Sequence, residues 1–193
     1  MRTLCVAATA AILALAPYRV MAAEPRLFAV FKRFCIDTGA DPQAARAALQ
    51  AAGGISKAPT ATTDAGGTTT NTDWTIALPD GTYAIGMTEL RSPHDVANGV
   101  YMQTCNVHAA RADAPSLASA RAWMRVQPSQ ATRPSMLELY YFSMPDRTPL
   151  SPKETPAFRV LQRSGKVWSL LLLGSPSDTS LVFQHMVPLS APH

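Results

Sequence analysis

From Asp73 onward, apolar side chains recur at every second position, and this alternation limits what the chain can fold into. Residues 74–78 (WTIAL) and 83–87 (YAIGM) both alternate in this way, and Pro79, Asp80 and Gly81 lie between them. An Asp-Gly pair between two alternating segments is typical of a β-hairpin. The sequence therefore predicts an antiparallel sheet that begins with this hairpin.

Later segments also have the composition of strands. A third strand is predicted over 99–108, with Tyr101, Cys105 and Val107 in its inward row and Gln103 as the exception. A second block of strands is predicted over 136–143, 158–163, 167–173 and 181–186. Residues 170–173 are continuously apolar, which is typical of a strand covered on both faces.

Two segments before the sheet have the pattern of helices. Residues 25–36 place Leu27, Phe28, Phe31, Phe34 and Cys35 at helical spacing.

The next helix begins after Asp41, a good N-cap, has Pro42 at its first position, and ends at Gly53 and Gly54. Another helix is predicted over 115–126. The sum is an α+β fold, in which two N-terminal helices pack on a mostly antiparallel sheet of six to seven strands with one further helix inserted mid-chain.

The first residues have the order of a secretory signal peptide. Arg2 is followed by an apolar run from Leu4 to Ala16, and small residues then lead to a cleavage site after Ala22. Cleavage after Ala23 is the near alternative, and a buried N-terminal helix is the other interpretation. The run is shorter than the roughly 20 residues of a membrane-spanning helix.

The domain prediction follows from this signal. Residues 1–22 are the cleaved signal peptide, and residues 23–193 form a single α+β domain. Within the domain, residues 53–72 are rich in Gly, Thr and Ala without periodicity and are interpreted as a flexible linker. We expect a periplasmic or secreted protein with no membrane span after signal cleavage.

Cysteine usage agrees with export. Cys5 leaves with the signal, so that Cys35 and Cys105 remain. Two cysteines in an oxidising compartment are expected to form a disulfide, although two free buried thiols are the alternative. A Cys-x-x-Cys spacing is absent, which disfavours a redox pair.

Charge gives no argument for nucleic acid as a partner. The formal net charge is +4, and removal of Arg2 and Arg19 with the signal brings it closer to zero. The remaining arginines are scattered and do not form a basic stripe with interleaved aromatics. We therefore expect no nucleic-acid partner.

One segment resembles a known group of proteins. Residues 31–42 (FKRFCIDTGADP), which lead into the Ala-rich helix, are similar to the opening of a group of small exported bacterial proteins. That group has an aromatic-rich helix, a Cys and a Thr-Gly-x-Asp-Pro cap after its signal. It has a second Cys in a mid-chain strand, where Cys105 lies here. The group has no assigned activity. The resemblance therefore implies export, a disulfide and the fold, and it transfers no catalytic residue.

The sequence contains few candidates for chemistry. It has no H-E-x-x-H, G-x-S-x-G, Walker or G-x-G-x-x-G motif. His94 and Asp95 in a loop, with His108 at a strand end, lack the further ligands that a zinc site needs, so we expect no metal and no cofactor. His108 with Glu138 is the one candidate pair for general acid–base catalysis.

Arg121 and Arg125 lie one helical turn apart, so they form a candidate clamp for an anion, although a solvated helix face is the simpler interpretation. The leading functional hypothesis is an exported, non-catalytic domain of the bacterial envelope that binds a protein or an envelope component through the open face of its sheet. The alternative is a small secreted hydrolase with a dispersed active site. A structural accessory without a ligand is a third hypothesis, and the oligomeric state is not indicated.

Overall fold

The computed structural model describes residues 26–79, 81–92, 100–132, 137–151 and 155–188. Side chains are described in the same ranges except at positions 100, 132 and 155. The predicted signal peptide lies outside these ranges, as do the turn residue Asp80 and the candidates His94 and Asp95.

Helical elements lie at the start, in the middle and before the last two strands of the described chain, and strands make up most of the rest. The helical elements are α1 (Arg26–Phe31), a π-helical turn (Lys32–Ile36), α2 (Pro42–Ala51), α3 (Ala114–Met124) and α4 (Thr155–Arg163). The strands are β1 (Ile55–Ser56), β2 (Thr60–Asp64), β3 (Gly67–Leu78), β4 (Gly81–Ser92), β5 (Val100–Ala109), β6 (Gln130–Thr132), β7 (Leu137–Ser143), β8 (Thr148–Pro149), β9 (Val167–Gly174) and β10 (Thr179–Pro188).

The predicted fold class is wrong. The described chain is mostly sheet, with ten strands in one antiparallel sheet and four α-helices, where six to seven strands were expected. The strand order is β1-β3-β4-β5-β10-β9-β7-β6, with β2 paired to β3 and β8 paired to β7. Of the two predicted N-terminal helices only the first packs on this sheet: its residues form α1 and the π-helical turn, which contact β5, whereas the main contact of α2 is with the π-helical turn.

The first helical segment supplies the centre of the core. Leu27, Phe31 and Phe34 are completely buried, as their spacing predicts. The disulfide between Cys35 and Cys105 joins the π-helical turn to β5 across a separation of 70 residues, and both cysteines are fully buried. The predicted disulfide is confirmed, and the alternative of two free thiols is wrong.

The sequence signals that limit α2 are confirmed. The carboxylate of Asp41 accepts a hydrogen bond from the backbone N–H of Ala44 at 2.7 Å, which satisfies a donor that the helix leaves unpaired. Gly53 follows the helix with φ +78°, a conformation that disfavours other residues. Ala45 and Leu49 are fully buried, so this short helix packs through one narrow face.

The predicted hairpin is confirmed and is longer than the alternation indicated. β3 and β4 pair from Leu78 and Gly81 at the turn to Thr68 and Arg91 at the far end.

The segment interpreted as a linker, residues 53–72, contains β1, β2 and the first part of β3. Threonine is β-branched and favours strands even where nothing is buried, and every residue of β2 is exposed. The pattern lacked periodicity because β2 buries neither of its faces.

The strand predicted over 158–163 is wrong, because this segment belongs to helix α4. Phe158 and Leu161 lie three residues apart and are half-buried, whereas Arg159 and Val160 are exposed, as expected for one face of a helix. The short link at 164–166 therefore joins a helix to β9, and Gly165 adopts φ +64° just after the helix.

The two faces of the sheet differ in cover. One face carries buried side chains such as Ile76, Ile85, Val107, Leu172 and Leu181, and α1, the π-helical turn and α3 pack against it. We call this the helix-covered face. Among the described elements, α4 packs on the opposite face, against β9 and β10. We call that opposite side the open face.

Candidate functional site

The open face is built from three rows of side chains that run across the strands, since residues paired in an antiparallel sheet lie on the same face. The histidine row consists of Leu137, Leu173, Ser180, His108, Ala84, Thr75 and Ile55. The asparagine row consists of Leu139, Leu171, Val182, Asn106, Gly86, Asp73 and Lys57. The threonine row consists of Ser169, Gln184, Thr104, Thr88, Asn71 and Thr60.

One end of the open face is aliphatic. Leu137, Leu139, Leu171, Leu173 and Val182 are neighbours on β7, β9 and β10, and all five are half-buried. We call these five residues the aliphatic patch.

At the opposite end of the face, Ile55 is 75% exposed, which makes it the most exposed large apolar residue in the described chain. Apolar side chains therefore lie at both ends of the open face.

The middle of the open face is polar and concave. Ala84 and Gly86 on β4 have the smallest side chains of the face, so β4 forms the floor of a trough between β3 and β5. The trough has a volume of about 590 Å³, and its side walls include Asn71, Asp73, Thr75, Asn106 and His108, with Lys57 and Thr60 at one edge. We call this feature the β4 trough.

Asn106 has an unusual position in this trough. A methyl group placed on Gly86 would lie 2.7 Å from Nδ2 and 2.8 Å from Oδ1 of Asn106, so the carboxamide rests against the glycine. Among the described residues, that carboxamide makes no hydrogen bond. Lys57, just after β1, donates its backbone N–H to the carbonyl of Asp73 on β3, yet no ion pair joins their side chains within the described part of the chain.

The threonine row is internally bonded. The hydroxyl of Ser169 donates to Oε1 of Gln184 at 2.8 Å, and Nε2 of Gln184 donates to the hydroxyl of Thr104 at 3.2 Å. Further along, Thr88 donates to Oδ1 of Asn71 at 2.7 Å. Side chains of the threonine row therefore form hydrogen bonds with one another, whereas Asn106 in the neighbouring row forms none among the described residues.

The predicted acid–base pair is not brought together. His108 is exposed on the open face, where its Nδ1 lies 2.9 Å from the hydroxyl of Ser180. Glu138 lies on the helix-covered face of β7, and β10 and β9 separate the two strands. Three strand spacings and the sheet itself therefore lie between the two groups.

Glu138 has its own partners. Nε of Arg121 donates to both carboxylate oxygens, at 3.0 and 2.9 Å, and the hydroxyl of Tyr140 donates to Oε2 at 2.7 Å. Burial opposes ionisation, but these hydrogen bonds outweigh it and hold the pKa of Glu138 below its usual value. Burial and the bond to Glu138 raise the pKa of Tyr140.

Arg121 and Arg125 line one cavity of about 510 Å³ at the end of α3, together with Glu138 and Tyr140. Arg125 is exposed, but the guanidinium of Arg121 is already neutralised by Glu138. The structure therefore brings the two arginines to one site but leaves only one of them available to an anion.

A smaller polar cleft of about 230 Å³ lies between the start of α2 and the sheet. Tyr101 donates a hydrogen bond to Glu89 at 2.6 Å, and the guanidinium carbon of Arg91 lies 4.8 Å from the centre of the tyrosine ring. Burial and the bond to Glu89 raise the pKa of Tyr101 to about 12, so this tyrosine is a neutral donor at physiological pH.

Sequence reasoning missed the trough residues. Asn106, Gly86, Asp73 and Lys57 come from four separate segments, and only the pairing register places them in one row. The small residues Ala84 and Gly86 in an alternating strand were the one available signal, because a strand interior seldom lacks large side chains without a reason.

Comparison of the chain with protein families, with curated proteins and with solved structures finds no match. Among the described residues, no group of three or more His, Cys, Asp or Glu side chains is arranged to hold a metal ion. In the same part of the chain, none of the helices has the length and apolar character needed to span a membrane.

Proposed function

We propose that this chain is an exported, non-catalytic binding domain that docks a protein partner of the bacterial envelope on its open face. The observation that carries the proposal is the face itself. It presents an aliphatic patch, a polar trough and an exposed isoleucine in aligned rows, and among the described elements only α4 covers part of it.

The size of the open face supports a protein partner. The asparagine row crosses six strands and ends at Lys57, which follows β1, so with strands about 4.8 Å apart its seven residues span roughly 29 Å. A standard protein–protein contact covers about 800 Å² on each partner, or about 28 Å on a side. The mixture of apolar ends and a polar centre also has the composition that protein interfaces use.

The positions of the titratable groups support binding over the hydrolase alternative. A general acid–base mechanism needs both groups within hydrogen-bond reach of one substrate. His108 and Glu138 lie on opposite faces, and Glu138 is held by Arg121 and Tyr140.

Export remains part of the proposal and rests on the signal pattern of residues 1–22. The buried disulfide is compatible with an oxidising compartment such as the periplasm or the exterior of the cell.

Site-specific crosslinking tests the proposal. A photoreactive phenylalanine analogue replaces Ala84 on the open face, and in a matched control it replaces Ala118, an exposed alanine on the outer side of α3. In the cells that make the protein, we expect one discrete protein adduct from position 84 and none from position 118. Thr75→Arg, which adds a large charge beside Ala84, should abolish that adduct. Equal adducts from both positions, or none from position 84, would overturn the proposal.

A further inference from the structure

We infer that the β4 trough holds an extended polypeptide segment of the partner, with Asn106 pairing to the partner's main chain. This inference rests on the proposed function and names the chemistry of the same face. It depends on the shape of the trough, on free hydrogen-bonding groups, on charge and on the neighbouring aliphatic patch.

The shape fits a single extended chain. The trough runs along β4, and its walls stand on β3 and β5, two strand spacings apart, which is about 10 Å. One extended strand occupies about 4.8 Å in that direction, so a single extended backbone can lie over β4 between the two walls. Gly86 and Ala84 keep the floor low along the strand.

The carboxamide of Asn106 supplies the recognition group. It carries two N–H donors and one carbonyl acceptor, and among the described residues none of these is paired. A peptide group offers one acceptor and one donor, so a side-chain amide and a main-chain amide can form two parallel hydrogen bonds. Such hydrogen bonds recognise the main chain of the partner and do not depend on which side chains it carries.

The charges in the trough are balanced. The carboxylate of Asp73 can accept hydrogen bonds and the ammonium of Lys57 can donate them, and among the described residues the two side chains form no ion pair. A backbone carries N–H and C=O groups in alternation and has no net charge, so it complements this pair. A polyanion such as a nucleic acid needs several cations, whereas the described lining of the trough offers one lysine opposed by the carboxylate of Asp73.

The asparagine row selects a polypeptide over a glycan. Next to Asn106 the row continues with Val182, Leu171 and Leu139 of the aliphatic patch. Val182, the nearest member of this patch, lies beyond Asn106 and two strand spacings from β4, about 10 Å, so a long apolar side chain that extends over β5 can contact it. An apolar amino-acid side chain gains by contacting this patch, whereas the hydroxyl groups of a sugar would lose water there.

The test uses random nine-residue peptides displayed on phage and selected on the folded full-length protein. We expect enriched peptides that combine an aliphatic residue with uncharged neighbours. Synthetic copies labelled with a fluorophore should bind Asn106→Ala about tenfold more weakly, as expected for the loss of one or two amide hydrogen bonds. Gln50→Ala, which removes an exposed amide on α2, is the matched control and should bind as the unmodified protein does.

A second variant tests the contact between Asn106 and Gly86 by adding a methyl group at position 86. Gly86→Ala leaves Asn106 in the sequence but places a methyl group 2.7 Å from its Nδ2, so the carboxamide must move. We expect a loss of peptide affinity similar to that of Asn106→Ala. If Gly86→Ala fails to fold, Asn106→Ser serves as the second variant, because it shortens a partly exposed side chain.

Three outcomes would overturn the inference. Selection enriches no peptide, or the enriched peptides bind the Asn106→Ala protein unchanged. Alternatively, neutral oligosaccharides such as cellohexaose or chitohexaose shift the NMR signals of Asn106 while peptides do not, which would assign the trough to glycans. An adduct from position 84 together with any of these results would leave the proposed docking face in place and remove only the extended-peptide mode.

Discussion

Arg121 on α3 donates hydrogen bonds to both carboxylate oxygens of Glu138 on β7, with Nε at 3.0 Å from Oε1 and 2.9 Å from Oε2. A second nitrogen of the same guanidinium lies 2.9 Å from Oε1. This pairing fixes the last part of α3 to β7, close to the β6 end of the sheet. Arg121 was a candidate for binding an anion and Glu138 a candidate for acid–base catalysis. In the structure the two side chains form an ion pair with each other instead.

Replacement of Glu138 by Gln should weaken the attachment of α3. The amide keeps a partner for Tyr140 but loses the charge that Arg121 pairs with. Because the arginine side chain is 39% exposed, solvent screens the pair, and we expect a loss of about 1 kcal/mol in the free energy of unfolding. Urea denaturation at pH 7 measures this loss. No loss would mean that the pair contributes nothing to stability.

The contribution of Glu138 should depend on pH in a defined direction. The folded state lowers the pKa of this carboxyl, so it favours the ionised form. The stabilisation is therefore complete above the ordinary glutamate pKa of about 4.3 and is lost as the pH falls through the lower folded value. The difference between the unmodified protein and Glu138→Gln should shrink over that range.

The disulfide should contribute more to stability than any single ion pair. Cys35 and Cys105 close a long loop, and the chain-entropy model gives about 4 kcal/mol as an upper figure for such a bridge. The double variant Cys35→Ser, Cys105→Ser should melt at lower temperature and be cut faster by trypsin, because the π-helical turn is no longer tied to β5. Melting of the unmodified protein with and without reductant provides the control. Equal melting temperatures in all cases would contradict a stabilising bridge.

Proline substitutions should separate the edge hairpin from the core of the sheet. Thr62 lies in the fully exposed β2, which pairs only with β3 among the described strands, so Thr62→Pro should cost less than about 1 kcal/mol. Thr72 is 7% exposed and pairs with Met87 of β4 near the middle of β3. Thr72→Pro should cost more than about 2 kcal/mol, because it removes a buried ladder hydrogen bond. Equal effects in urea denaturation would show that β2 is as integral to the fold as β3.

Local sequence patterns correctly predicted the helices and strands whose buried side chains recur at a regular spacing. The alternation over 74–87 and the N-cap at Asp41 are local, and the structure has both features. The error at 158–163 has a physical origin, since Phe158 and Leu161 in a six-residue window fit a strand and a helix about equally well. The helix is favoured because the segment extends back to Thr155 and because α4 packs against β9 and β10.

The candidate site was less accessible from the sequence than the fold. His108 and Glu138 were paired because their residue types suit acid–base chemistry, but the strand order places them apart. Asn106 carries no signal as a separate residue, and the small residue Gly86 does not by itself indicate which side chain lies beside it. Their relationship exists only through the register of β4 and β5, which is set by side-chain packing across the whole sheet.

Stability should also depend on pH through His185. Its ring stacks on Trp168 with centroids 4.2 Å apart, and Nε2 lies 2.9 Å from the carbonyl oxygen of Gly165. Burial lowers the pKa of His185 more than the bond to Gly165 raises it, so the unfolded chain takes up a proton more readily than the folded one. The contribution of His185 to stability should therefore be complete above the ordinary histidine pKa of about 6.5 and fall as the pH drops below it.

The variant His185→Gln keeps a donor for Gly165 but cannot be protonated, so it should reduce the fall in melting temperature between pH 7.5 and 5. That window lies above the one in which Glu138 acts. A variant that loses stability over this interval as steeply as the unmodified protein would show that His185 is not the group responsible.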